Sequence, residues 1–68
     1  MIQKNIILEN KIAIVLMNEI QEQDLPISMT IAKKHDGMVS TLLEYEESNE
    51  ELFNKTLNDA INEVCELI

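Results

Sequence analysis

Two stretches of alternating apolar and polar residues, separated by one Asp-Gly pair, constrain the fold of this chain most. The first stretch begins at Ile27 and the second ends at Glu46. Alternation with a period of two, rich in β-branched residues, is typical of half-buried strands. The intervening Asp36-Gly37 pair favours a tight turn, because glycine accepts the positive φ that hairpin turns require. The sequence therefore predicts a β-hairpin over residues 27–46.

The length of the hairpin loop decides which side chains face the core. A two-residue loop at Asp36-Gly37 would place glutamates opposite apolar residues, whereas a one-residue change of register turns every side chain of a strand to the other face. A three-residue loop over residues 35–37, with Gly37 in the left-handed position of a G1 bulge, collects the apolar residues on one face. We therefore predict the three-residue loop His35-Asp36-Gly37, with the pairs Ile27–Tyr45, Met29–Leu43, Ile31–Thr41 and Lys33–Val39.

The segment before the hairpin, about residues 3–24, is predicted to form a helix. Its apolar residues recur at helical spacing on one face, and they are Leu8, Ile12, Val15, Leu16 and Ile20. The continuous apolar run over residues 12–17 would also suit a strand, but its flanks lack glycine and proline and favour a helix. Pro26 ends this helix, because proline disfavours the helical conformation at the residue before it.

Two isoleucines, Ile7 and Ile14, would share one flank of this predicted helix, one heptad apart. Single exposed apolar residues are common on protein surfaces, so both could simply face solvent. They could equally form a second contact surface for another copy of the chain or for another protein. Self-association is attractive because small domains without disulfides or metals often gain stability by oligomerising.

The last segment, about residues 49–68, is predicted to form a second amphipathic helix. Ser48 followed three residues later by Glu51 matches the capping box that starts many helices. The order helix–strand–strand–helix then predicts an α+β fold, in which two helices cover a β-hairpin as a small two-layer sandwich. We expect one domain over residues 1–68, with dimerisation as one way to cover the open edges of the hairpin.

Composition limits the classes of protein to which the chain can belong. With 68 residues, of which 46% are apolar, it has enough core for one small domain. Its single cysteine, Cys65, excludes an intramolecular disulfide and suits a reducing compartment. The N-terminus does not resemble a signal peptide, and no apolar run is long enough to cross a membrane. We expect a cytoplasmic protein with no membrane partner, in the host cell if it is encoded by a phage.

The sequence contains no motif that carries chemistry. The only histidine, His35, lies in the predicted turn beside Asp36, and no nucleophile is placed to act with it. The only glycine cannot build a loop that holds phosphates, and the acidic residues do not follow the spacing of a calcium loop. We therefore expect no enzymatic activity, no cofactor and no metal site.

Charge is the most distinctive property of the chain. The formal net charge is −8, and there is no arginine, which argues against direct binding of nucleic acid. Acidic residues gather where the hairpin meets the last helix, whereas Lys33 and Lys34 lie at the hairpin tip. Such charge often serves only solubility, but it can also steer binding to a basic surface. We name the predicted binding residues the acidic patch: Glu44, Glu46, Glu47, Glu50 and Glu51.

These features favour a small acidic protein-interaction module without enzymatic activity. It would bind, one to one, a larger protein with a basic surface, such as a surface that receives nucleic acid. In size and charge alone, without a shared motif, the chain is similar to the small acidic inhibitors of nucleic-acid-binding enzymes that phages and mobile elements encode, including anti-CRISPR proteins and DNA mimics. The alternative is a homodimeric regulatory, antitoxin-like or adaptor subunit that uses Ile7, Ile14 and the hairpin edge.

Overall fold

The computed structural model describes residues 1–66 and arranges them as a three-stranded antiparallel sheet covered by two helices. This arrangement confirms the predicted α+β class, with one strand more than the sequence predicted. The order of elements is β1 (Ile2–Glu9), α1 (Asn10–Glu22), β2 (Ile27–His35), β3 (Met38–Tyr45), a 3₁₀ turn (Glu47–Asn49) and α2 (Glu50–Glu66).

The additional strand is β1, and the prediction that residues 3–9 begin a helix is wrong. β1 pairs antiparallel with β3 along its whole length. Ile2, Ile6 and Leu8 lie even numbers of residues apart, and all three face the helices, as residues on one face of a strand do. The exposed Ile7 beside them hides that alternation in the sequence. Pairing with β3 also satisfies the backbone groups of this segment, so tertiary context overrides helical spacing.

The strands lie in the order β1-β3-β2, so β3 is central. β1 and β2 run in the same direction on either side of β3, and α1 connects them. This is a split β–α–β arrangement, in which the two parallel strands are separated by a third, antiparallel strand. Both strands that flank β3 therefore have one edge without a partner strand in the part of the chain that the structure describes.

The hairpin combines features of both loop lengths considered from the sequence. His35 pairs with Met38, so the loop has two residues, Asp36 and Gly37, and the three-residue loop is wrong. Both have positive φ, 51° and 79°, as a type I′ turn requires. The predicted apolar register is nevertheless confirmed, because a bulge at Ala32 absorbs the extra residue. The confirmed pairs are Ile27–Tyr45, Met29–Leu43 and Ile31–Thr41. The predicted pair Lys33–Val39 is wrong, because beyond the bulge Lys33 pairs with Ser40 and Lys34 with Val39.

Helix α1 begins only at Asn10, whose backbone N–H donates to the Gly37 carbonyl at 2.8 Å. It ends before Pro26, as predicted, but through a Schellman motif. Asp24 adopts a left-handed conformation with a φ of 50°, and the Leu25 N–H donates to the Ile20 carbonyl at 3.0 Å. This ending turns the chain back toward the sheet at the end where β3 finishes.

The core lies between the inner face of the sheet and the two helices, which pack against each other. Helix α2 follows a 3₁₀ turn, in which the Asn49 N–H donates to the Glu46 carbonyl at 2.9 Å. The hydrogen bonds within residues 1–66 do not include the predicted capping box between Ser48 and Glu51. The last two residues of the predicted helix, 67–68, lie outside the described part of the chain. The core is mainly aliphatic, and its buried residues include Leu8, Ala13, Leu16, Ile20, Ile27, Val39, Leu43, Tyr45, Phe53 and Ala60.

Candidate functional site

One end of the domain gathers carboxylates from three segments of the chain. The end of α1, the end of β3 and the start of α2 meet there, because Ile27 at the start of β2 pairs with Tyr45 at the end of β3. We call this region the acidic end. It contains the predicted acidic patch and two carboxylates that sequence reasoning did not include, and its members are Glu22, Asp24, Glu44, Glu46, Glu47, Glu50 and Glu51.

Within the acidic end, Glu50 is part of a tertiary cluster and does not simply face solvent. Its Oε1 lies 2.8 Å from the Nζ of Lys4, and its Oε2 accepts a hydrogen bond of 2.8 Å from the Tyr45 hydroxyl. The Tyr45 ring stacks on Phe53 with centroids 4.8 Å apart. The Lys4 amine lies 5.4 Å from the Phe53 centroid, within the range of a cation–π contact. Glu50 thus joins β1, β3 and α2.

The proton equilibria of Lys4 and Glu50 reflect this contact. The ammonium group of Lys4, with a further contribution from the Tyr45 hydroxyl, lowers the pKa of Glu50 below its ordinary value of 4.5. Reciprocally, the Glu50 carboxylate raises the pKa of Lys4 above 10.5. Each side chain is 36% exposed, so solvent partly screens the pair. We therefore assign Glu50 a structural role and remove it from the residues available to a partner.

Glu44, the first residue of the predicted patch, lies on the other face of the sheet. It is half-buried in β3, opposite Gln3 of β1, and accepts a hydrogen bond of 3.2 Å from the Gln3 side-chain amide. Glu44 and Glu50 therefore point to opposite sides of the sheet. The sequence-predicted patch is not one flat surface but a group of carboxylates that wraps around one end of the domain.

The remaining predicted residues, Glu46, Glu47 and Glu51, are all exposed. They lie between the end of β3 and the first turn of α2, where the helix dipole favours negative charge. A shallow depression at this end is lined by Leu25, Ile27, Tyr45 and neighbouring residues, with Glu44 and Glu46 at its rim. The arrangement offers dense negative charge around a small apolar surface, which suits a basic protein surface better than a small anionic ligand.

The lysines of the hairpin lie at the opposite end of the domain. Strand β3 separates the two ends by its length, roughly 25 Å for eight residues at about 3.4 Å each. The Debye length at physiological ionic strength is about 8 Å, so the hairpin lysines hardly weaken the potential of the acidic end. His35 also lies at this tip, exposed, with its Nε2 3.1 Å from a carboxylate oxygen of Asp36.

The two isoleucines predicted to share a helix flank lie on different layers. Ile7 is 69% exposed on the sheet face that the helices leave uncovered, whereas Ile14 is 49% exposed on α1. The single helical surface expected from their heptad spacing does not exist, because the chain changes from strand to helix between them. Ile7 instead lines a shallow groove with Lys33, His35 and Met38 on the uncovered sheet face.

Within residues 1–66, no three His, Cys, Asp or Glu side chains converge in a way that could hold a metal ion, and no helix is long and apolar enough to cross a membrane. Cys65 is exposed near the end of α2.

The chain was compared with protein-family models, with curated proteins and with solved structures, and none of the three comparisons found a match.

Proposed function

We propose that this chain is a non-enzymatic protein-interaction module that binds a basic surface of a larger protein through its acidic end. The observation that supports the proposal is the convergence of six carboxylates, besides the paired Glu50, from three chain segments at one end of a small domain. Lys4 is already paired with Glu50, so it does not offset the other six carboxylates. The acidic end therefore keeps a strong negative potential, which speeds encounters with a basic partner and excludes acidic ones.

The kind of partner follows from the charge and shape of this end. The carboxylates wrap around both faces of the sheet end, so a concave or grooved basic surface would contact more of them than a flat one. Grooves that receive nucleic acid have this character, since they present lysine and arginine to phosphates. Occupying such a groove would block it, and the module would then act as a stoichiometric inhibitor of the type that phages and mobile elements encode.

The experiment compares two charge reversals of equal size. In the first variant, Glu46, Glu47 and Glu51 of the acidic end are changed to lysine. In the matched control, three exposed carboxylates further along α2 are changed to lysine instead, namely Asp59, Glu63 and Glu66. Both variants shift the net charge from −8 to −2, because each replaces three negative by three positive charges.

The parent protein is immobilised and used to capture its partner from a lysate of the source organism, and the binding of each variant to the purified partner is then measured. We expect the acidic-end variant to bind at least roughly tenfold more weakly, and the control to bind nearly as well as the parent. Binding of the parent should also weaken as salt is added. Equal binding by the two variants would refute the proposed role of the acidic end.

The alternative function, a homodimeric regulatory, antitoxin-like or adaptor subunit, was predicted to use Ile7, Ile14 and the hairpin edge. A contact through both Ile7 and Ile14 on one helix is ruled out by their separation onto two layers. The open strand edges of the sheet support this alternative instead, and they can be examined independently of the acidic end.

A further inference from the structure

The two edges of the sheet differ in how well they are protected against pairing with another strand. Strand β2 begins directly after Pro26, bulges at Ala32 and carries Lys33 and Lys34 near its end. Prolines, bulges and lysines are the means by which natural sheets prevent their edges from pairing. β2 is therefore a protected edge.

The edge formed by β1 is less protected. Its eight residues pair with β3 in continuous register, without a bulge or a proline. Its one lysine, Lys4, points to the helical side, where Glu50 holds its charge. On the uncovered face the strand presents Gln3, Asn5 and Ile7, and a charge follows only at its last residue, Glu9. An edge of this length and flatness is a template for another strand.

We propose that β1 pairs antiparallel with β1 of a second copy, about a twofold axis normal to the sheet, and so forms a continuous six-stranded sheet. Residues directly opposite each other in an antiparallel pair have their side chains on the same face of the sheet. A twofold axis normal to the sheet must therefore lie midway between one residue and the same residue of the second copy. We place it at Asn5, where each side-chain amide can donate to and accept from the other. The register then sets Ile2 opposite Leu8, and Gln3 opposite Ile7.

A second copy suits this edge better than an unrelated strand because β1 is self-complementary in that register. No like charges face each other, since Lys4 lies opposite Ile6 and Glu9 falls outside the pairing of strand residues. The antiparallel arrangement also places the acidic end of one copy beside the hairpin end of the other. The two acidic ends then point in opposite directions, which limits the repulsion between two chains that each carry −8.

The first experiment measures the dimer with two matched substitutions. Asn5 of β1 and Thr30 of β2 both lie opposite Leu42, on the same face of the sheet, and both are exposed. Asn5→Lys would place two ammonium groups opposite each other across the proposed axis, whereas Thr30→Lys adds the same charge on the protected edge. Sedimentation velocity over a range of concentrations gives the dissociation constant, and circular dichroism confirms that each variant folds.

We expect the parent to form a dimer, Asn5→Lys to raise its dissociation constant roughly fivefold or more, and Thr30→Lys to leave it nearly unchanged. A parent that stays monomeric at every concentration would overturn the proposal. Equal weakening by the two substitutions would overturn it as well, because the dimer would then not depend on β1. Neither substitution touches the acidic end, so failure of this proposal is distinguishable from failure of the proposed function.

A second experiment tests the register by disulfide cross-linking. The native thiol is removed by Cys65→Ser, and a single cysteine is introduced by Asn5→Cys or, as a control, by Gln3→Cys. Opposite side chains have Cβ atoms about 5 Å apart, close to the distance that a disulfide spans, whereas the two copies of residue 3 would lie about four residues apart along the strand. Mild oxidation should link Asn5→Cys faster. Faster linkage of Gln3→Cys would overturn the register.

Discussion

Neighbouring residues of β1 should differ sharply in their effect on stability, because one faces the core and the next faces solvent. Leu8 is 8% exposed among core residues, whereas Ile7 is 69% exposed on the uncovered face. We compare Leu8→Ala, which removes buried methyl groups, with Ile7→Thr, which keeps the β-branch that suits a strand. The helix first predicted for residues 3–24 also placed Leu8 on its apolar face and Ile7 on a flank, so these variants test which side chain is buried and not the type of element.

The expected magnitude for Leu8→Ala follows from its burial. Truncating a buried leucine costs about 2–5 kcal/mol, and the slight exposure of Leu8 places it near the lower part of that range, about 2–3 kcal/mol. A chain of 68 residues has a total free energy of unfolding of roughly 3–10 kcal/mol. The substitution therefore removes a large part of the stability, and Tm should fall by roughly 10–20 °C. Ile7→Thr should change stability by about 0.5 kcal/mol or less.

Urea unfolding followed by far-ultraviolet circular dichroism measures both variants at one protein concentration. The chain has no tryptophan, so backbone ellipticity is the practical probe. The slope of the unfolding free energy against urea should remain that of the parent, which shows that only stability has changed. Equal losses for the two variants, or a larger loss for Ile7→Thr, would refute the placement of Leu8 in the core and of Ile7 in solvent.

Two further predictions concern the ion pair and the turn. Because Lys4 lowers the pKa of Glu50 in the folded state, the pair stabilises the fold fully above pH 4.5, and this stabilisation is lost as pH falls through the lowered pKa of Glu50. At the alkaline end, the pKa of Lys4 is raised, so the stabilisation persists up to pH 10.5 and is lost as pH rises through the raised pKa of Lys4. The stability difference between the parent and Glu50→Gln should thus be widest between these limits, and a constant difference across urea titrations at acidic pH would contradict it. Gly37→Ala should cost about 1 kcal/mol, since Gly37 has a φ of 79° and no neighbour would contact an added Cβ; Asp36→Asn should be nearly neutral in the same titration, because asparagine tolerates that conformation.

The sequence predicted the faces of the hairpin well but not the length of its loop. Alternation assigns Ile27 and Tyr45 to one face regardless of what happens at the tip. A period of two cannot show where the hairpin accommodates an extra residue. A bulge at Ala32 with a two-residue loop fits the pattern as well as the predicted three-residue loop does. Backbone hydrogen bonds to β3, which the sequence does not display, decide between them.

The first segment was harder to predict because its apolar residues belong to two elements. Leu8 and Ile12 are four residues apart, as on one face of a helix. Leu8, however, lies near the end of β1, whereas Ile12 lies in α1. Both face the same core, so their spacing imitates a continuous helix. Only pairing with β3, some 35 residues further along the chain, distinguishes the two possibilities.

The sequence correctly indicated where the acidic residues gather along the chain, but it did not indicate which carboxylates are free to contact a partner. Glu46, Glu47 and Glu51 are exposed, as a charged cluster suggests. Glu50 is occupied by Lys4, which lies 46 residues away in sequence, and no local pattern indicates such a contact. Lys4 lies two residues from Ile2 and two residues from Ile6, so a strand would place all three on one face. This spacing was the one pattern that could have placed the lysine on the helical side.

The position of β1 at the edge, beside a strand made much later, has a consequence for the order in which the chain folds. The hairpin of β2 and β3 joins neighbours through a two-residue turn and can form within microseconds. β1 is synthesised before β3, yet its hydrogen bonds require Tyr45 and the other residues of β3. Until then the strand has two unpaired edges rather than one. The period before β3 emerges from the ribosome is therefore when this chain is most exposed to pairing with the wrong strand.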